Sequence, residues 1–306
     1  MIDLSGAQLE PYRALHYFHE GLNVHVKCGT AGAILLANTT AQSDDTRMLG
    51  KFIRASDPAW NQPPIHEIDL EIYKNMYGAV GAYAIVALFS AFDDFLNGVE
   101  ADIARHAGYG GKLPATDAGD EPDEDDRIAK LYWRYGWDIK DIKHLLPALT
   151  YFRLMRNCIC HRSSRCSKAL SEISDKDALK GAFRGLLVRT NPSHPSFDYN
   201  QEIFVEPTLA IACSDVLRKI CSDCNKKYID LIGVDSFLRI VAHNLLFRAR
   251  KVRTDAYKSP EAVLNLALSE RYRVPVNDRL EPAQALIRIG IWKEFVREFN
   301  AVYRQR

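Results

Sequence analysis

Apolar positions repeat with a helical period over most of this chain. From Ile65 to about His106, the residues Ile68, Ile72, Met76, Val80, Tyr83, Ala87, Phe92, Phe95 and Val99 recur three to five apart. That spacing predicts a long amphipathic helix. Between Val80 and Phe92 almost nothing is polar, so this part needs burial on most sides, and Gly108, Gly110 and Gly111 end it. A second strong stripe (Leu209, Cys213, Val216, Leu217, Ile220, Cys224, Tyr228) predicts a helix from Pro207 to about Leu231. Shorter helices are expected after Asp126 as cap, with Ile128, Leu131, Tyr132 and Tyr135, then from Asp138, and from Pro147 onward. Others are expected over Ala169 to Leu187, over Ser236 to about Arg253, after a Ser259 cap with Pro260 at the first position, and near Glu281-Pro282.

The beginning of the chain follows another pattern. Gln8 to His19 suits a short helix, after which Leu22, Val24, Val26 and Cys28 alternate with other residues. With Gly29-Thr30 as a turn and Ala33 to Ala37 returning, this reads as a short β-hairpin. Asp57-Pro58 and Pro63-Pro64 punctuate the chain beyond it. The organisation expected is therefore a mixed N-terminal segment over 1–60, a helical domain over 61–232 and a helical extension over 233–306. Gln201 to Val205 is a short extended piece within the second of these.

Composition narrows the class. A chain of 306 residues with 47% hydrophobic content can bury a substantial core. A formal charge of +1 argues against a globally basic nucleic-acid binder but leaves room for a local patch. The segment from Pro114 to Asp126 is dense in Asp and Glu, and the plain reading is a solvated connection. Arg248, Arg250, Lys251 and Arg253 make a basic cluster that reads as a solvated helix end, with a phosphate-contacting patch as the rival. Seven cysteines without a small-scaffold spacing fit reduced thiols. No apolar run reads as a membrane span and the start lacks a leader pattern, so a cytoplasmic protein is expected.

The candidate chemistry lies between Thr150 and Cys166. Arg153, Arg156, Asn157, His161, Arg162 and Arg165 are interleaved there with Tyr151, Phe152, Leu154, Met155 and Ile159. On a helix Arg153, Asn157 and His161 share one face, with Arg156 about 100° round from Asn157. A guanidinium grips phosphate with a permanent, forked charge, and an imidazole exchanges protons near neutral pH. Together they suit work on a phosphodiester. Cys158, Cys160, His161 and Cys166 suggest zinc at first sight, but a helix points 158 and 160 about 200° apart. Cys221 and Cys224 share a helix face and read as core.

Arg156-Asn157, three further residues and then His161 resembles the signature of the HEPN superfamily, an arginine followed by four to six residues and a histidine. Ser90-Ala-Phe-Asp-Asp-Phe-Leu96 looks like the acidic-x-Phe-Leu pattern on the preceding helix of its RiboL-PSP branch, with Asp93 as the acid. The resemblance covers about Ile65 to Leu231. It implies a mainly α fold, a HEPN-like antiparallel helical bundle, here with the mixed N-terminal segment and extra C-terminal helices. It also implies a homodimer with a composite active site and a metal-independent, cofactor-free endoribonuclease of toxin or anti-phage defence systems, with an antitoxin or sensor protein as a further partner. One branch has tyrosine two residues after the histidine; Ser163 stands there in this chain.

In that reading the RNA 2′-hydroxyl attacks the adjacent phosphorus, giving a 2′,3′-cyclic phosphate and a 5′-hydroxyl. His161 handles the proton, Arg156 holds and neutralises the phosphate, and Asn157 orients the backbone or the histidine, as expected of catalytic residues. Asp93 and Arg153 support them, and Arg162 and Arg165 contact RNA. The alternative is a non-catalytic HEPN-like helical dimer that binds RNA or a partner protein.

Overall fold

The computed structural model describes residues 2–41, 51, 55, 70–114, 126–184, 195–247 and 259–303. Helices dominate them: α1 (Glu10–Ala41), α2 (Leu70–Gly108), α3 (Arg127–Arg134), α4 (Leu146–His161), α5 (Lys168–Ser174), α6 (Asp177–Arg184) and α7 (Pro207–Phe247). After them come α8 (Pro260–Leu266), a π turn over Ala267–Arg271, α9 (Glu281–Arg288) and α10 (Trp292–Tyr303). The mainly α class expected from the periodicity is what the chain adopts. No strand forms among the described residues, although Arg165 and Glu202 make an isolated antiparallel bridge.

The N-terminal hairpin does not form. Residues 22–37 lie inside α1, where Val26 and Ala33 are buried seven apart while Val24 is 59% exposed. The alternation was two helical faces sampled every second residue. Gly29-Thr30, expected as a turn, is helical, and the Thr30 hydroxyl donates to the Val26 carbonyl at 2.7 Å. The Asp57-Pro58 and Pro63-Pro64 boundary and the acidic segment 115–125 lie outside the described residues, as do Arg248, Arg250, Lys251 and Arg253.

Three other expectations need correction. Asp138 begins turns rather than a helix; a 3-10 turn at Lys143–Leu145 leads directly into α4. The helix expected over Ala169 to Leu187 breaks at Asp175-Lys176 into α5 and α6, with the Ser167 hydroxyl capping α5 by accepting from the Leu170 N–H at 3.2 Å. Met76 and Tyr83, assigned to the buried stripe of α2, are exposed. Moreover, Asn75–Gly108 of α2 is long and apolar enough to cross a membrane by length and composition, with a mean hydropathy of 1.6 over 18 residues, where none was expected. Alanines and valines raise its hydropathy on every face, including faces that the core does not need.

The helix ends follow the local chemistry. Gly110 takes φ +83° after α2, and Gly110 and Gly111 donate to the Ala107 and His106 carbonyls at 2.9 Å. Within α7, Gly233 stands at φ +66°, ψ 178°, a non-helical break at the boundary expected between the Leu231 and Ser236 helices. Ser259 caps α8 through the Ala262 N–H at 3.2 Å, and Pro260 opens it.

The chain divides into two compact units that do not follow chain order. The first comprises 1–16, 92–142 and 220–306. Its core contains Leu9, Tyr12, Phe95, Val99, Ile103, Tyr132, Tyr228, Phe237, Tyr272 and Phe299. Asn225 ties in the N-terminus, donating to the Ala7 carbonyl at 2.9 Å, and Arg271 pairs with Glu10 at 2.8 Å. The buried His106 ring sits 2.8 Å from the Ser236 hydroxyl. The second unit comprises 17–91 and 143–219. There Tyr151 and Phe152 pack on Phe183, with centroids 5.9 and 5.7 Å apart, and the Tyr151 hydroxyl donates to the Pro195 carbonyl at 2.9 Å. His19 and Ser214 are hydrogen-bonded in the same unit.

Candidate active site

Helix α4, in the second unit, buries Ala148, Leu149, Tyr151, Phe152, Met155 and Cys158. This three-and-four spacing fixes the helix's rotation, so the polar residues between must face away from the core. Arg153, Arg156 and Asn157 are half-buried on the flank, while His161, the last helical residue, is exposed. Asn157 and His161 are four apart and lie within about 40° of each other around the axis. Arg156 and His161 are separated by about 140°.

The arginine and asparagine of the motif interact directly. Arg156 donates from Nη1 to Asn157 Oδ1 at 3.1 Å, which fixes the amide with its oxygen toward the guanidinium. Arg156 Nε is buried and has no hydrogen-bond partner among the described residues. A buried N–H left this way is costly unless another group takes it.

After His161 the backbone reverses. Arg162 and Ser164 both donate to the Cys158 carbonyl, at 3.0 and 3.2 Å. Ser163 and Ser164 take φ +50° and +59°. Two successive non-glycine residues in the left-handed region are held only where surroundings over-determine them. Here the surroundings are residues 200–203. Cys166 N–H donates to the Gln201 carbonyl at 2.8 Å, Ile203 N–H to the Ser164 carbonyl at 2.7 Å and Asn200 N–H to the Cys166 carbonyl at 3.0 Å. Arg162 reaches back from Nε to the Arg165 carbonyl at 3.3 Å, and Arg165 donates from Nη1 to the Asn200 carbonyl at 3.3 Å. Both guanidiniums are exposed and keep further N–H donors for an anion. The structure thus brings His161, Arg162 and Arg165 together on one stiff turn, with Asn157 a helical turn away.

The cysteines of this stretch are divided. Cys158 and Cys166 are buried and Cys160 is exposed, so 158 and 160 point to opposite sides as the helix requires. The Ser167 N–H donates to Cys158 Sγ at 3.3 Å, and burial pushes the Cys166 thiol up from its ordinary value. Cys221 and Cys224 are core residues whose thiols burial likewise raises. No group of three or more His, Cys, Asp and Glu among the described residues is placed to hold a metal ion.

Asp93 belongs to the first unit, and Arg127 is the arginine on its carboxylate at 2.8 Å. Arg127 also donates to Asn97 Oδ1 at 2.7 Å, and Arg134 pairs with Glu100 at 3.0 Å. Sequence reasoning missed Arg127, although it stands in the first turn of a helix flanked by acidic residues. Gln201 to Val205 was expected as an extended piece, but its pairing with the motif turn was not foreseen. Its only trace in the sequence is the alternation Gln201-Glu-Ile-Phe-Val205, which exposes Glu202 and Phe204 and buries Ile203 and Val205.

No protein-family model, curated protein or solved structure matches this chain.

Proposed function

We propose that this protein is a metal-independent endoribonuclease that cleaves RNA by attack of a 2′-hydroxyl on the neighbouring phosphorus. The observation that carries the reading is the exposed imidazole of His161 on a fixed turn beside Arg162 and Arg165. A proton carrier and two forked cations within one turn match what a phosphodiester needs as charge builds on its oxygens.

In this scheme an imidazole accepts the 2′-hydroxyl proton as the oxygen bonds to phosphorus, and the 5′-oxygen leaves with a proton returned to it. The products are a 2′,3′-cyclic phosphate and a 5′-hydroxyl. Arg162 and Arg165 hold the flanking phosphates. Arg156 neutralises the reacting phosphate, its plane set by Asn157, and Arg153 adds positive charge on the same flank of α4. Asp93, expected to steady Arg156, instead carries Arg127 on its carboxylate, so the scheme gives it no role in the chemistry.

Because Arg156 and His161 diverge by about 140° on one helix, a single chain does not aim both at one phosphorus. A two-fold dimer that sets two α4 ends against each other supplies the missing convergence and a second imidazole. The same divergence favours a second reading, a helical module that binds RNA without cutting it.

The test incubates purified protein with RNA in excess chelator. Cutting that persists there, leaves cyclic-phosphate ends, and is lost in both His161→Ala and Arg156→Ala supports the enzyme. RNA bound but left intact by the wild type overturns it in favour of the module.

A further inference from the structure

The turn that carries His161 shares its backbone hydrogen bonds with a segment that lines a cavity of about 230 Å³ in the second unit. Phe197, Gln201, Glu202, Phe204, Glu206 and Thr208 are among its walls. We propose that this cavity is a base-recognition subsite that takes one unstacked guanine next to the phosphate held by the turn, an inference that rests on the ribonuclease reading.

Three features argue for it. First, the extended backbone from Glu202 to Glu206 sends alternate side chains to opposite faces. Ile203 and Val205 are buried, so Glu202, Phe204 and Glu206 face outward together, a phenyl ring between two carboxylates. Second, the ring is held in place. Phe204 stacks on Tyr77 with centroids 6.2 Å apart and planes inclined by 16°, and it lies over Gly78 so closely that a Cβ there would meet it at 2.8 Å. It remains 42% exposed, a fixed aromatic surface of the kind on which a splayed RNA base stacks. Third, Arg165 and Glu202 are directly opposed in an antiparallel bridge, so their side chains leave the backbone on the same face. A guanidinium for phosphate therefore stands beside a carboxylate that repels phosphate.

That carboxylate selects the base. An ionised carboxylate only accepts hydrogen bonds, and its two oxygens match two parallel N–H groups. Guanine offers such a pair on its Watson–Crick edge, N1–H beside the 2-amino group; uracil offers a single N–H there. Gln201, also on the cavity wall, is itself held by accepting from the Asp198 N–H through Oε1 at 2.8 Å. A cavity smaller than about 300 Å³ suits a lone ring system rather than a whole nucleotide.

Two measurements test this. Guanosine and uridine, which carry no phosphate and cannot be cleaved, are titrated into the wild type and Glu202→Gln by calorimetry. In parallel, kcat/KM is compared for short RNAs with a single guanine and for the same RNAs with uracil or inosine in its place. Selective guanosine binding that Glu202→Gln weakens, with a guanine preference of about tenfold or more that the variant loses, is the expected result. Phe204→Leu, which keeps an apolar side chain against Tyr77 and Gly78 but removes the ring, should weaken guanosine binding. Cleavage with no guanine preference and no guanosine binding overturns the subsite and leaves the ribonuclease reading standing. Selective guanosine binding without any cleavage keeps the subsite and sinks the ribonuclease. Absence of both overturns both.

Discussion

Replacing His161 by alanine removes the imidazole from an exposed helix end and opens no cavity. Cleavage is expected to fall about 100-fold or more, the scale of a lost general acid–base group. Stability should move by no more than about 0.5 kcal/mol, as for other exposed positions. Chelator-treated cleavage assays and a urea melt on the same preparation check both halves. Arg156→Lys is the complementary case. It keeps the charge but loses the planar fork that donates to Asn157 Oδ1, so cleavage should drop about tenfold or more while RNA binding, followed by fluorescence anisotropy, is largely retained. At this scale the spacing was informative about placement: Arg156, Asn157 and His161 fall on one helix as expected, because helical register is local. Partners distant in sequence were not legible. That Arg127 meets Asp93, or that Asn200 meets Arg165, depends on how separate segments fold together, which no local spacing encodes.

Elements were legible where the apolar period was long, as in α2 and α7, and misread where it was short. Leu22, Val24, Val26 and Cys28 mimic a strand because four residues cannot separate a two-residue period from a helix carrying apolar side chains on two faces. Glycines were the better guides to element ends. Gly233 adopts φ +66° and ψ 178°, a combination nearly confined to glycine, with open space where a Cβ would sit. Gly233→Ala should therefore cost about 1–3 kcal/mol through backbone strain alone, seen as a lower urea midpoint with an unchanged slope. Gly81 acts differently. A Cβ there would come within 2.3 Å of the Val205 carbonyl oxygen, so the extended segment lies against α2 only because that side chain is missing. Gly81→Ala should destabilise by about 1–3 kcal/mol and also disturb the Glu202–Glu206 face, so guanosine titration should detect it even where the fold survives.

For the whole molecule the sharpest expectation concerns alkaline pH. Burial pushes Tyr272 up to about 12 from its ordinary 10.0, and it raises Tyr132, Tyr151 and Tyr228 and the thiols of Cys213, Cys221 and Cys224 as well. Unfolded chains lose these protons first, at about pH 9 to 10, so above that range the folded state holds more protons than the unfolded one. Stability is then full below pH 9 and falls as pH rises toward 12. Tyr272 alone accounts for a loss on the order of 2 kcal/mol. Urea midpoints at pH 8, 10 and 11 should decline in that order, and a flat profile would contradict the burial of these groups. The dimer invoked for catalysis should appear in sedimentation velocity, with specific activity falling on dilution below its dissociation constant.

The hydrogen bonds that join 164–166 to 200–203 also place the two ends of an excursion side by side. Those bonds, rather than the length of chain between the two segments, set the register of the turn that carries His161. The described chain between them is no loose loop, since α5 and α6 bury Leu170, Leu179, Ala182 and Phe183. Within it, the exposed turn at Asp175-Lys176 is where a short insertion should leave that register undisturbed, provided Tyr151 and Phe152 keep the covering they receive from Phe183.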